Sequence, residues 1–366
     1  MTRKTATPAP AAQQPESSLV VDYKSGKPVP AWVKELIETQ LAIETEDAKS
    51  AGTIGFMARA LVLATMPYKD PKTDVYTRRN GDFTLRIVAG YEGDVPGKGG
   101  IPFGIYPRLL MSWVSTEAVR RESPVIELGE SLRTFLRDVL EVRSTGGGKR
   151  GSGSRASEQM KRLFGAMITA QYSGAIKDRG FKMRNIQIAD DVDLTAEDLD
   201  SMDNLDAPER APAKIWTPEA EADTNPLWTP QAAEEAGTWR STVRLSRRFF
   251  EECINSPVPI DLRVYKSLRR SPMAMDVYTW LTYRVSYQTS RARPIPWLAL
   301  MNQFGGKINA DDINQSVRDF KKAFLTALQM VEIVYPQAKY KIEDQGFTPL
   351  PSPTSIPRTL VQRDLF

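Results

Sequence analysis

Between Asp190 and Asp223 the chain carries twelve acidic residues and two basic ones, Arg210 and Lys214. No other stretch constrains the fold so strongly. A run this acidic, containing Pro and poor in large aliphatic residues, does not bury enough apolar surface to form a core, so it reads as a connector. It divides the 366 residues into two candidate units. The sequence therefore predicts a disordered N-terminal tail and lead-in over 1–50, a first domain over 51–189, an acidic linker over 190–238, a second domain over 239–350 and a C-terminal tail over 351–366.

The same stretch explains a misleading net charge. The chain sums to +4, but the connector holds −10 of this, leaving +14 on the rest. Arg143, Lys149, Arg150, Arg155, Lys161 and Arg162 face only Glu158 within twenty residues. A second basic cluster runs from Arg240 through Arg244, Arg247, Arg248, Arg263 and Lys266 to Arg269 and Arg270, diluted by Glu251, Glu252 and Asp261. Basic lobes on an acidic connector suit a polyanionic partner; ordinary solvated surface charge is the simpler account of any single cluster.

Composition removes whole reaction classes. The chain has no His and one Cys, Cys253. Histidine-based nucleophile systems, His zinc sites, Cys₄ metal sites and disulfide frameworks are all excluded. The expectation is a non-enzymatic protein without cofactor or metal. No run approaches the ~20 apolar residues of a membrane span, and Met1–Ser17 lacks the apolar stretch of a secretory signal. A bacterial cytoplasmic location is expected.

Each unit shows the same coarse order. In the first, Phe83–Val88 alternates as a strand and Pro107 opens an apolar helical run. Residues 124–128 are extended, and Ser131–Glu141 and Ser154–Tyr172 have helical spacing, with Met160, Leu163, Phe164, Met167 and Ile168 on one face. Lys182–Ile188 follows as a strand. In the second unit a helix starts at Ser271–Pro272, Ile295 is extended, and Trp297–Phe304 is a two-turn helix. Gly305–Gly306 turns into a long helix capped by Asp311 or Asp312. Lys339–Ile342 and Phe347–Leu350 form a hairpin around Gly346. Helix, strand, helix, turn, helix, hairpin is the order of a winged helix. The predicted fold is α+β and mainly helical, with two tandem winged-helix domains.

In a helix-turn-helix the second helix presents its first residues to base edges. The DNA-binding candidates are Ser154, Arg155, Ser157, Lys161 and Arg162, with Lys149 and Arg150 at phosphates. In the second unit they are Asn314, Gln315, Arg318, Lys321 and Lys322, with Lys307 in the turn. Arg pairs with guanine and Asn or Gln with adenine through two bonds each; the alternative for any of these positions is a solvated helix face. Gly146, Gly148 and Gly151 satisfy a GxGxxG spacing but follow a helix, which argues for a flexible basic loop. Asp191 and Asp193 resemble a metal-binding pair, yet lie where acids are abundant. Trp113, Trp280 and Trp297 fall on apolar faces and read as core.

Particular segments resemble the plasmid-encoded RepA-type replication initiators: 100–110 (GIPFGIYPRLL), 115–120 (STEAVR) and 154–164 (SRASEQMKRLF) in the first unit. In the second they are 257–262 (PVPIDL), 270–272 (RSP), 278–284 (YTWLTYR), 295–297 (IPW) and 318–322 (RDFKK). The resemblance covers about residues 51–353. It implies tandem winged helices that bind repeats in double-stranded origin DNA, duplex opening, and recruitment of a replicative helicase and host initiator, with a homodimer as one state. The C-terminal Gln362-Arg-Asp-Leu365-Phe366 resembles the peptides that seat a Gln and a Leu-Phe pair in the bacterial sliding clamp; a chance tail is the alternative. A two-domain transcriptional repressor shares this architecture but has no use for a clamp peptide. A primase or nuclease would need clustered acids in a folded core.

Overall fold

The computed structural model describes residues 29–90, 99–127, 136–137, 142, 152–172, 182–193, 242–255, 257–290, 292–305 and 311–357. The fold is α+β, mainly helical, with small antiparallel sheets. Within the lead-in, Ala31–Thr45 forms helix α1. The first unit then runs β1 (Ile54–Ala58), α2 (Arg59–Leu63), β2 (Val75–Asn80), β3 (Phe83–Val88), α3 (Ile105–Arg121) and β4 (Val125–Glu127). Next come α4 (Ser152–Gly165), β5 (Met167–Tyr172), β6 (Lys182–Gln187) and β7 (Ala189–Asp193). The second unit comprises β8 (Thr242–Leu245), α5 (Arg247–Asn255), β9 (Pro257–Asp261), α6 (Leu262–Ser267), α7 (Pro272–Tyr287), β10 (Ile295–Pro296), α8 (Trp297–Phe304), α9 (Ile313–Val334), β11 (Tyr340–Glu343) and β12 (Gly346–Pro349).

Local chemistry accounts for the second unit well. Ser271 caps α7 by accepting from the Ala274 amide at 3.2 Å, with Pro272 in the first turn where its missing N–H is harmless. Asp312 caps α9, accepting from the Gln315 amide at 2.8 Å. Phe320, Phe324, Ala327, Leu328, Val331 and Val334 then line the buried stripe of α9. Phe324 meets Trp297, Phe304 and Phe347 with ring centroids 5.9, 5.4 and 5.6 Å away, all edge to face. Aromatic pairs favour that geometry. The hairpin turns over Asp344–Gln345, while Gly346 lies inside β12 against β10. A Cβ there would stand 2.2 Å from the Ile295 carbonyl oxygen.

The first unit departs from its expected plan. The helical run predicted to Tyr172 ends at Gly165, and Met167–Tyr172 is strand β5. Ile168 does fall four residues after Phe164, but from Met167 the chain pairs on both sides, with β3 (Val88↔Met167) and with β6 (Met167↔Gln187), and the turn before it lies so close to Gly90 that a Cβ there would stand 2.2 Å from the Gly165 carbonyl oxygen. The predicted helix 131–141 falls largely outside the described residues, as do the GxGxxG loop and residues 1–28. Asp191 and Asp193 lie on β7 opposite Arg244 and Thr242 of β8. Among the described residues no three His, Cys, Asp or Glu side chains cluster as a metal site. Trp113, Trp280 and Trp297 are buried, as expected.

The sheets tie distant parts of the chain together. β1 pairs antiparallel with β9 from Ile54↔Asp261 to Ala58↔Pro257. β8 lies between β4 and β7. The four-stranded sheet has order β2-β3-β5-β6, and the second unit's own sheet is β10-β12-β11. One contiguous apolar core runs from Leu36 of α1 through α3 to Phe347 of β12, so elements on both sides of the acidic stretch share it. No described helix is long and apolar enough to cross a membrane.

Candidate nucleic-acid interface

Helix α4 buries Ala156, Met160, Leu163 and Phe164. That face also takes Ser157, which is 7% exposed, and Gln159, whose side-chain oxygen accepts from the Phe103 amide at 2.8 Å. Ser157 is therefore turned away from a ligand approaching the outer face. Arg162 is largely occupied. Its guanidinium lies 2.6 Å from Glu158 and 3.6 Å from Asp70, donates to the Ile101 carbonyl at 3.4 Å and covers the Phe103 ring. Burial pushes the Asp70 carboxyl up, but bonds from Lys72 and the Arg162 charge outweigh it and hold Asp70 below the usual carboxylate range. Arg155 and Lys161 are exposed beside Glu158, and Ser154 is half-buried. Lys149 and Arg150 lie outside the described residues.

Helix α9 presents more. Asn314, Gln315, Arg318 and Lys322 are all exposed within its first three turns. Gln315 donates to Asp319 at 2.9 Å and accepts from Arg318 Nε and Nη2 at 3.1 and 2.8 Å, a surface network that orients the Arg318 fork. Lys321 is half-buried, its ammonium 5.0 Å from the Trp297 ring centroid. An open cleft of about 550 Å³ lies between α9 and the first residues of α7, with Lys322, Asp319, Ser271, Tyr68 and Lys69 on its walls. Lys307, Gln362, Leu365 and Phe366 fall outside the described residues.

The second basic cluster is mostly engaged within the chain. Arg263 pairs with Asp261 at 2.7 Å and donates to the Ala42 and Glu46 carbonyls at the end of α1. Arg269 meets Glu35 of α1 at 3.3 Å, and Arg247 meets Glu251 at 2.9 Å.

What ties the two units together here was missed in the sequence. Segment 62–80 grips the end of α8 and the turn after it. Thr65 donates to the Phe304 carbonyl at 2.9 Å, and Gln303 donates to the Val62 carbonyl at 3.4 Å. The Arg78 guanidinium, bonded to the Tyr76 hydroxyl, lies where a Cβ on Gly305 would stand, 2.5 Å from Nη2. Gly305 has φ +90°, a backbone conformation that favours glycine.

Deeper in, Arg108 of α3 is 2% exposed and uses all five of its N–H donors. Nε and Nη2 reach Asp276 of α7 at 2.8 and 2.7 Å, Nη2 also reaches the Met66 carbonyl, and Nη1 reaches those of Gly104 and Pro67. Loss of hydration alone would weaken its hold on the proton, but Asp276 more than compensates and Arg108 stays charged. One sequence signal was present: a single Arg inside the apolar run 105–119, and a single Asp inside 273–281. A buried charge in an apolar helix needs a partner.

Two crystal structures of domains 2 and 3 of RctB are similar, each with 11% identity. One has a TM-score of 0.42 and covers 80% of this chain and 97% of its own; the other has 0.39, with 79% and 94%. No curated protein matches. The model of the family described as "Plasmid encoded RepA protein" matches residues 101–210 and 218–297, just over half of the chain, and takes in α3, α4, α7 and the Arg108–Asp276 pair between them. With half of the chain accounted for on both sides of the acidic stretch, this protein belongs to the plasmid-encoded RepA replication protein family.

Proposed function

We propose that the chain is a non-enzymatic replication initiator that binds repeated sequences in double-stranded DNA at a plasmid origin. In this reading α7–β12 and α3–β6 act as winged helices, with α9 and α4 as their major-groove helices. The observation that carries it is the joint between them. Arg108 of one half pairs with Asp276 of the other, and Thr65 donates to Phe304 while Gln303 donates back to Val62 at the end of α8, the helix that precedes α9. Two reading helices joined by packed structure suit a fixed spacing of contacts along a duplex.

Asn314, Gln315 and Arg318 have base-reading chemistry, and Lys322, Arg155 and Lys161 suit phosphates. Helping to open the duplex, recruiting helicase and host initiator, homodimerisation and a bacterial cytoplasmic setting belong to the same proposal. So does clamp binding by Gln362, Leu365 and Phe366. Footprinting tests the core of it: evenly spaced protected repeats support an initiator, and one protected palindrome at a promoter would mean a repressor. Deleting 362–366 is expected to abolish clamp pull-down while leaving DNA binding intact; unchanged pull-down would remove the clamp from the scheme.

A further inference from the structure

The far end of α7 holds side chains that the duplex-reading surface does not use. Tyr283 and Tyr287 are one turn apart, with ring centroids 5.1 Å apart and planes at 59°. Tyr287 ends the helix and is 49% exposed. Arg284 donates from Nη1 to the Tyr287 hydroxyl at 2.6 Å, and its guanidinium carbon lies 5.5 Å from that ring's centroid. Its Nε is buried with no hydrogen-bond partner, and among the described residues no carboxylate pairs with it. Arg59, the first residue of α2, approaches the Tyr283 hydroxyl while pairing with Glu252 at 3.4 Å. Pro272, at the cleft beside α9, and Tyr287 are separated by about 22 Å of helix at 1.5 Å per residue. The two surfaces are therefore distinct.

The side chains of this patch match one kind of ligand. A half-exposed ring already pinned by a hydrogen bond loses little freedom when another flat ring stacks on it. The neighbouring guanidinium is an anion-binding group whose charge nothing described neutralises. A flat ring joined to a phosphate is a nucleotide, and it offers its face only when unstacked, as in a single strand. Tyr and Arg also anchor protein contacts, but those form around a desolvated apolar centre. Here the exposed ring is bordered by a guanidinium that no carboxylate among the described residues pairs with.

We propose that Tyr283, Arg284 and Tyr287, with Arg59, form a site for an unpaired nucleotide of a single DNA strand, its base on Tyr287 and its phosphate at Arg284. The proposal rests on the reading of this chain as an origin-binding protein, because it supplies a place for a strand released when a duplex opens.

The test uses the full chain and a labelled oligodeoxythymidine, followed by fluorescence anisotropy, with repeat-bearing duplex measured in parallel. Tyr287→Ala is expected to weaken single-strand binding about tenfold, and Tyr287→Phe to retain most of it. Duplex affinity should not change in either variant. Photocrosslinking of a bromodeoxyuridine oligomer should mark Tyr287, an outcome that does not depend on the stability of any variant. Wild-type oligothymidine affinity in Tyr287→Ala would overturn the site, the more so if self-association were lost instead, which would assign the patch to protein contact. Equal loss of duplex and single-strand binding would overturn it too. If the wild-type chain failed to bind the repeats at all, the initiator reading would fall instead, whatever the oligomer result.

Discussion

Apart from the helix expected over 131–141, which lies outside the described residues, the two halves share the order helix, short strand, long helix, hairpin and differ in what they do with it. In the second, the short strand β10 joins its own hairpin, giving β10-β12-β11. In the first, the corresponding β4 pairs away, with β8, and the hairpin β5–β6 instead extends the sheet begun by β2 and β3. The long helices differ likewise. On α9 Asn314, Gln315 and Arg318 are exposed, whereas on α4 Ser157 is buried and Arg162 is bound to Glu158, Asp70 and Phe103. A shared order of elements thus fixes neither strand partners nor which side chains remain for a ligand. The second half is organised around its outer helix, and the first around the joint.

That contrast can be broken most directly at the joint. Arg108→Ala should destabilise the protein by about 3–5 kcal/mol, because it strands Asp276 in the core. Arg108→Met with Asp276→Leu should recover much of this in denaturant titrations. A small loss in the single variant would mean that the halves hold together without the pair.

Next in size is the difference between the reading helices. Arg318→Ala should cost about 1–3 kcal/mol of duplex binding and relax base preference, measured by titration at fixed salt. Arg155→Ala should cost less and act evenly across sequences. The reverse ranking would make α4 the main reader.

Arg162→Ala sharpens the point further. Its partly exposed ion pairs suggest a stability loss of about 1 kcal/mol, with duplex preference unchanged. Asp70 gives the same contact a pH signature. Its folded-state pKa is depressed, so its contribution is present above the ordinary carboxylate range and fades as pH falls toward the lower folded value. Asp70→Asn should flatten that acid limb of the stability curve, which denaturation at several pH values would reveal.

The smallest signal is a silent one. Burial pushes the Cys253 thiol up to about 12, against the bond it makes to Ser115 of α3. It should therefore resist thiol reagents at neutral pH until the halves part.

Much of the second half was legible: the Asp312 cap, the apolar stripe of α9, the two-turn α8 and the hairpin are local signals, each complete within a few residues. The pairing of β1 with β9 was not, since its partners lie about two hundred residues apart and neither strand alternates distinctly. β5 was misread because Phe164 and Ile168 satisfy a helical spacing, while the pairing that makes 167–172 a strand comes from β3 far upstream and from β6. Residue types gave the candidate contacts on α9, but the fate of Ser157 and Arg162 depended on loops at 70 and 101–103 that no periodicity reveals.

One pairing has an architectural consequence. Asp193 and Thr242 face each other across β7 and β8, so the two residues that flank the stretch 194–241 are neighbours. Its length has no bearing on the distance between the halves. A chain nicked anywhere within it would remain a single body held by β1–β9, β7–β8 and Arg108–Asp276, and the two pieces expressed separately should find each other, in the manner of a split-reporter pair.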